Sequence, residues 1–158
     1  MQSRRDARLV EERGIGMYIM YTNTISVEDF NFLHEAVGWG VSNPERVQKA
    51  LNRSDFVISA QINGKAIGMA RLIHDGLQVL LVDVIVLPEY QGQGIGKSIM
   101  NYVMEYLYAL SKDGGIKVNL VTAPDKPGFY EKFGFIRRPT DQLGPGMTQW
   151  IEKKEVIL

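Results

Sequence analysis

The sequence predicts a mixed α/β domain in which helices interrupt a largely antiparallel sheet, and three observations carry that expectation. Asn63-Gly64 lies between two apolar runs, 56–62 and 65–73, and is the strongest short-range hairpin signal a single sequence offers. The run 77–87 is nearly continuous in apolar residues, as expected of a central strand covered on both faces. From 95 to 112, Ile95, Ile99, Tyr102, Val103, Tyr106 and Leu110 recur at helical spacing.

The remaining elements follow in chain order. Segment 1–16 is charged and is expected to lie outside the fold as a tail or remnant, leaving 17–158 as a single domain that opens on an apolar, aromatic strand at 17–22. Ser26 caps a helix over 27–37, with Glu28 and Asp29 in its first turn and Phe30, Leu33 and Val37 on one face. Gly38-Trp39-Gly40 ends it. Asn43-Pro44 is a capping residue followed by Pro at the first helical position, and it opens a short helix to 51. A turn at His74-Asp75-Gly76 precedes the central strand, which Pro88 stops. Gly114-Gly115 closes the long helix; 116–121 reads as a strand, 128–133 as a short helix ended by Gly134, and 135–138 and 147–151 as further strands.

A chain of 158 residues with 45% hydrophobic content is long enough to bury a real core. Lys+Arg and Asp+Glu cancel at 18 each, so no global field favours nucleic acid or an anionic membrane. With no cysteine there is no disulfide, no thiolate nucleophile and no Cys-ligated zinc, a composition compatible with a reducing cytoplasm. Two histidines, His34 and His74, are too few for a His-rich metal site, and no metal is expected. His34 reads as a solvated helix residue and His74 as a turn residue. No run approaches the ~18–20 apolar residues of a membrane span, and the first sixteen residues lack the apolar core of a signal peptide. The expected location is cytoplasmic.

The chemistry is announced between the central strand and the long helix, by Gln91-Gly92-Gln93-Gly94-Ile95-Gly96-Lys97-Ser98. A strand, a breaker, alternating glycines and a helix build a cradle for phosphate, because the helix aims unpaired N–H groups and a positive dipole end at an anion. Two familiar phosphate motifs fail on counting. A P-loop needs Gly five positions before Gly96-Lys97-Ser98, where Gln91 stands; a dinucleotide fingerprint needs a third glycine at 97 or 99, which are Lys97 and Ile99.

What remains, Gln-x-x-Gly-x-Gly, resembles the acetyl-CoA loop of the GCN5-related N-acetyltransferase (GNAT) superfamily. Phe129-Tyr130-Glu131-Lys132-Phe133-Gly134-Phe135 resembles that family's Tyr-x-x-x-Gly-Phe element, and the strand-helix pattern fits from Met17 to Ile151. Gly68-Met69-Ala70-Arg71, Tyr-Gln-Gly-Gln-Gly at 90–94 and the late Gly146-Met147 are similar to the branch with plastid-type arylalkylamine and lysine acetyltransferases. The resemblance implies a mixed, mostly antiparallel sheet of six to seven strands flanked by four helices. It further implies acetyl-CoA as cosubstrate, a small-molecule amine or a lysine side chain as acceptor, and direct attack in a ternary complex. Dimerisation is common among such relatives.

Residue by residue, the resemblance places the pyrophosphate on the backbone amides of 91–98. Lys97 adds charge there or is simply a solvated first-turn lysine. The pantetheine arm and an oxyanion-binding N–H fall at Ile85-Val86, where the family's fourth strand bulges and splays from the fifth. Tyr130 is the candidate general acid, a phenol that can protonate or hydrogen-bond the departing thiolate; the alternative is an amphipathic aromatic with its ring in the core and its hydroxyl in water. Asp83 lies inside an apolar run, where an unpartnered acid is costly. Placing the turn at 74–76 sets it opposite Ile67-Gly68 rather than Arg71, so it is read either as a catalytic acid facing the acceptor cleft, attracting the substrate ammonium or passing its proton to water, or as a structural acid bonded to backbone or hydroxyl groups. The family's frequent Glu base falls at Leu80 here, and its frequent Asn before the Tyr at Ala123. Trp39 lies where relatives place the acceptor-binding segment, as a stacking surface or as a core anchor at a helix end. A non-catalytic acyl-CoA sensor would need Gln91 to Gly96 but neither Tyr130 nor Asp83, and an acyltransferase for longer acyl groups would differ in pocket depth.

Overall fold

The computed structural model describes residues 9–13 and 17–151. Six strands form one sheet in sequence order: β1 Leu9–Arg13, β2 Met17–Thr22, β3 Phe56–Ile62, β4 Lys65–His74, β5 Gln78–Val86 and β6 Lys117–Asn119. The first five pair antiparallel and β6 joins β5 in parallel. Four α-helices accompany them: α1 Val27–Ala36, α2 Pro44–Asn52, α3 Ile95–Leu110 and α4 Pro127–Glu131. The architecture is the mixed α/β fold expected.

The helix starts obey local chemistry. Ser26 Oγ accepts from the Asp29 N–H at 3.0 Å and Asn43 Oδ1 from the Arg46 N–H at 3.2 Å, each satisfying a donor that a helix start leaves orphaned. Asn63 and Gly64 both take positive φ, 50° and 77°, as the tight hairpin between β3 and β4 requires. The core gathers Tyr21, Leu33, Ile58, Met69, Leu72, Leu81, Ile99, Met100 and Val103, all essentially inaccessible. Here α3 packs on β3, β4 and β5, and α1 on β4 and β5.

Four expectations are corrected. Segment 1–16 does not lie wholly outside the fold, because Leu9–Arg13 pairs with β2 from Leu9↔Tyr21 to Arg13↔Met17. Charge concealed it: β1 is an edge strand, where charged residues are tolerated and discourage further pairing. The rest of that segment falls outside the described residues. Segments 135–138 and 147–151 form no strand; Pro139 directly after the first and the Gly144-Pro145-Gly146 run directly before the second remove donors and stiffness where a ladder would have to continue. Finally, β5 is not covered on both faces. Val79, Leu81 and Ile85 are buried while Gln78 and Leu80 are exposed, Leu80 at 42%, so the first half of the strand is an ordinary alternation with a leucine on its outward face.

The chain falls into two compact units, one running to Leu120 and the other beginning at Val121. The first holds the sheet and α1 to α3; the second holds α4.

Candidate active site

In the first unit the site begins where β5 ends. The Leu87 N–H donates to Ile67 O at 2.9 Å, and Pro88–Tyr90 then form one 3₁₀ turn. The predicted loop is tied down by its own glutamines: Gln91 Nε2 donates to Val86 O at 2.9 Å and Gln93 Nε2 to Glu89 O at 3.0 Å. Gln91 thus acts through its side chain as a clamp between strand end and loop. Gly94 is the N-cap of α3 with φ 83°, a left-handed conformation that costs glycine nothing and a side chain about 1–2 kcal/mol. It has no side chain with which to cap the helix. The first bonded amide is Ser98 N–H to Gly94 O at 3.0 Å, so the amides of Ile95, Gly96 and Lys97 precede the helical ladder at the positive end of a 16-residue helix. Gly92, Gln93 and Lys97 are exposed around it.

The edge of β5 leads into that loop. β6 pairs only with Gln78, Val79 and Leu80; among the described residues no strand pairs with the same edge beyond Leu80. On its other edge β5 carries a bulge, since Arg71 faces Val82 and Met69 faces Ile85, two residues of β4 spanning three of β5. Ile85 and Val86 lie between the bulge and the loop, with Ile85 buried.

Asp83 sits in the bulge at φ 52°. The sequence reading gave it no partner on β4, and that is overturned: Arg71 Nε donates to Asp83 Oδ2 in a close ion pair. Two features moved the register. The turn is longer than expected, with Asp75 Oδ1 accepting from Leu77 and Gln78 and the ladder closing at His74↔Val79, and the bulge adds one residue more. Arg71 Nη1 also donates to Ser54 Oγ at 3.2 Å. On the other side, His34 Nε2 stands 3.4 Å from Asp83 Oδ1, and the side chains of His34 and Asp83 are only 13% and 12% exposed. Burial alone would raise the carboxyl's pKa, but the nearby His34 ring and the Arg71 guanidinium outweigh it and hold Asp83 below the usual carboxylate value. Asp83 is therefore ionised and charge-compensated at neutral pH, which makes it a weak proton acceptor and a good anchor.

His34 is not the solvated residue expected. Its ring stacks on Phe30 with centroids 4.1 Å apart and meets Trp39 edge-on at 5.4 Å. The signal was present in the sequence, since His34 follows Phe30 by four positions and so shares the inward face of α1. Trp39 is 55% exposed, so it is not a core anchor; it stands over His34 with much of its surface free. His74 is more than a turn residue: it ends β4, its Nε2 lies 3.3 Å from Tyr106 Oη, and its N–H donates to Asp55 Oδ2 at 2.7 Å.

In the second unit Tyr130 lies on α4, its ring edge-on to Phe129 and Phe135 with centroids 5.0 and 6.1 Å away. Its carbonyl accepts from the N–H groups of Phe133 and Phe135 at 2.9 and 3.3 Å, and Arg137 grips Glu131 through two contacts of 3.0 and 3.2 Å. Burial pushes the Tyr130 hydroxyl up to about 12, so it carries its proton throughout the neutral range.

A bulged strand whose other edge is open, running into a glycine loop and an uncapped helix, suits a long ligand with an amide-rich arm and an anionic end, the architecture of an acyl carrier-using transferase. Residues 53–137, more than half of the chain, match the acetyltransferase (GNAT) domain, and the chain belongs to that family. Over 133 residues it is 30% identical to the uncharacterized N-acetyltransferase ycf52 of Pyropia yezoensis, covering 81% of this chain and 75% of that one. It is 31% identical over 121 residues to serotonin N-acetyltransferase 2, chloroplastic, of Oryza sativa subsp. japonica, covering 73% of this chain and 58% of the relative. Among solved structures, a protein of unknown function and probable acetyltransferase from Staphylococcus aureus superposes with a TM-score of 0.75 at 30% identity, over 84% of this chain and 99% of that one. The protein is an N-acetyltransferase with the GNAT fold.

Proposed function

We propose that this N-acetyltransferase takes its acetyl group from acetyl-CoA and passes it to a primary amine by direct attack in a ternary complex. The observation that carries this reading is the continuity of the open β5 edge beyond Leu80 with the loop 91–98 and the start of α3. Backbone groups at Ile85 and Val86 offer ladder bonds to the amides of a pantetheine arm, and the amides of 95–97 receive the pyrophosphate with the helix dipole behind them. A backbone N–H freed by the bulge serves the developing oxyanion, a contact worth about 3 kcal/mol in acyl transfer. Tyr130, protonated at working pH, donates to the departing thiolate. The exposed Trp39 supplies a flat apolar face for the acceptor, which supports an amine bearing an aromatic group such as the one named for the rice relative.

Gly94→Val tests the loop. A β-branched residue at φ 83° moves the cap and obstructs the amides. Calorimetric titration should show acetyl-CoA affinity reduced by about a hundredfold or more, roughly 3 kcal/mol, in a variant with the wild-type circular dichroism spectrum; wild-type affinity would remove the loop from the site.

A further inference from the structure

Building on the acetyl-transfer reading, we propose that His34 is the proton acceptor for the incoming amine, with Asp83 and Arg71 as its positioning residues. Its Nε2 is buried without a hydrogen bond and faces Asp83 Oδ1 at 3.4 Å. The carboxylate draws the ring proton to Nε2, which leaves Nδ1 as the basic nitrogen, the arrangement by which a carboxylate fixes an imidazole tautomer in hydrolases. Arg71, itself bonded to Ser54, locks that carboxylate in place. The charged groups facing the ring are Asp83 from β5 and, through it, Arg71 from β4; α2 buries only Val47 and keeps Glu45, Arg46 and Lys49 exposed. Asp83 precedes Ile85 by two residues, about 7 Å of strand, so the ring lies within an amine's reach of the acyl position. Trp39, edge-on to His34, shields the ring from bulk water.

The step balances simply. The ammonium of the acceptor gives one proton to Nδ1 and becomes a nucleophile. Its nitrogen bonds the acetyl carbon, the C–S bond breaks, and the nitrogen's second proton leaves to solvent. The thiolate takes up a proton from solvent, and His34 returns its own to solvent. The products are the amide, the free thiol and one released proton.

His34→Gln keeps the volume and removes the base. Amine kcat/KM near pH 7 should fall about a hundredfold, with the deficit shrinking at high pH where the ammonium loses its proton unaided, and with acetyl-CoA affinity unchanged. His74→Gln should keep the wild-type profile. Since His34 and His74 are the chain's two histidines, NMR titration of wild type assigns the acid limb even if His34→Gln does not fold; a limb that follows His34 supports the role. A His34→Gln profile like wild type, or a wild-type acid limb that does not follow His34, overturns it while acetyl transfer stands. No acetylation of any amine by wild type overturns both.

Discussion

Asp83 holds a left-handed φ of 52° in the middle of an apolar strand, a strain of about 1–2 kcal/mol that Asp tolerates better than most side chains. The ion pair with Arg71 is what holds it there, and removing one partner of such a pair costs about 3–5 kcal/mol because the other is left buried and charged. Its lowered pKa makes this support pH-dependent in a definite sense: it is complete above the unfolded carboxyl's value near 4 and fades as pH falls through the lower folded value. Tyr130 has the opposite displacement, raised to about 12, so its hydroxyl remains a donor well past neutrality. At that value it is a poor acid in the Brønsted sense but a dependable hydrogen-bond donor to a thiolate. Replacing Tyr130 by Phe should lower kcat about ten- to a hundredfold, the range for a hydrogen bond to a charged group, with acetyl-CoA affinity preserved and no basic limb below pH 10 that wild type shows and the variant lacks. Steady-state kinetics at saturating acetyl-CoA decide it, and an unchanged kcat removes Tyr130 from the reaction.

At the scale of elements, the site depends on how closely β4 and β5 approach at the bulge. A Cβ on Gly68 would sit 2.8 Å from Ile85 O, 3.1 Å from Ile99 Cδ1 and 3.3 Å from Val86 Cγ2. The first of these is backbone and has no room to yield. Gly68→Ala should therefore cost about 1–3 kcal/mol by overpacking and also disturb the Ile85-Val86 edge; urea denaturation and turnover together read both, and a variant as stable as wild type would show that the two strands can part freely. These elements were legible in the sequence to different degrees. The hairpin, both helix caps and the glycine loop are written in local rules, and each appears where those rules put it. The register across the bulge is not local: no residue type announces that Asp83 takes positive φ, and the longer turn and the bulge together carried it from opposite Ile67-Gly68 to beside the Arg71↔Val82 pair, within reach of the Arg71 side chain. His34 was hidden for a related reason. Its inward position follows from α1 periodicity, but its meeting with Asp83 depends on the tertiary placement of α1 against β5.

For the whole molecule, the central pattern of strands and helices was readable because periodicity and breakers agree from Met17 to Asn119, while the charged edge strand β1 and the lack of strand among the described residues 135–151 were not. The motif pair, the glycine loop and Tyr130 with Gly134-Phe135, pointed to the family before any coordinates did, and the match over residues 53–137 agrees with it. The acceptor half proposed above is a tertiary arrangement instead: Trp39, His34, Asp83 and Arg71 come from four separate elements or loops, and no sequence spacing links them. The whole account rests on acetyl transfer to an amine, and a thiol reagent reads it cleanly because the chain contributes no cysteine of its own. Wild-type protein with acetyl-CoA should release free thiol in step with N-acetylated product on at least one amine from a panel of arylalkylamines, polyamines, aminosugars and peptide lysines, and Gly94→Val should not; tight acetyl-CoA binding with no amine-dependent thiol release across that panel would contradict it.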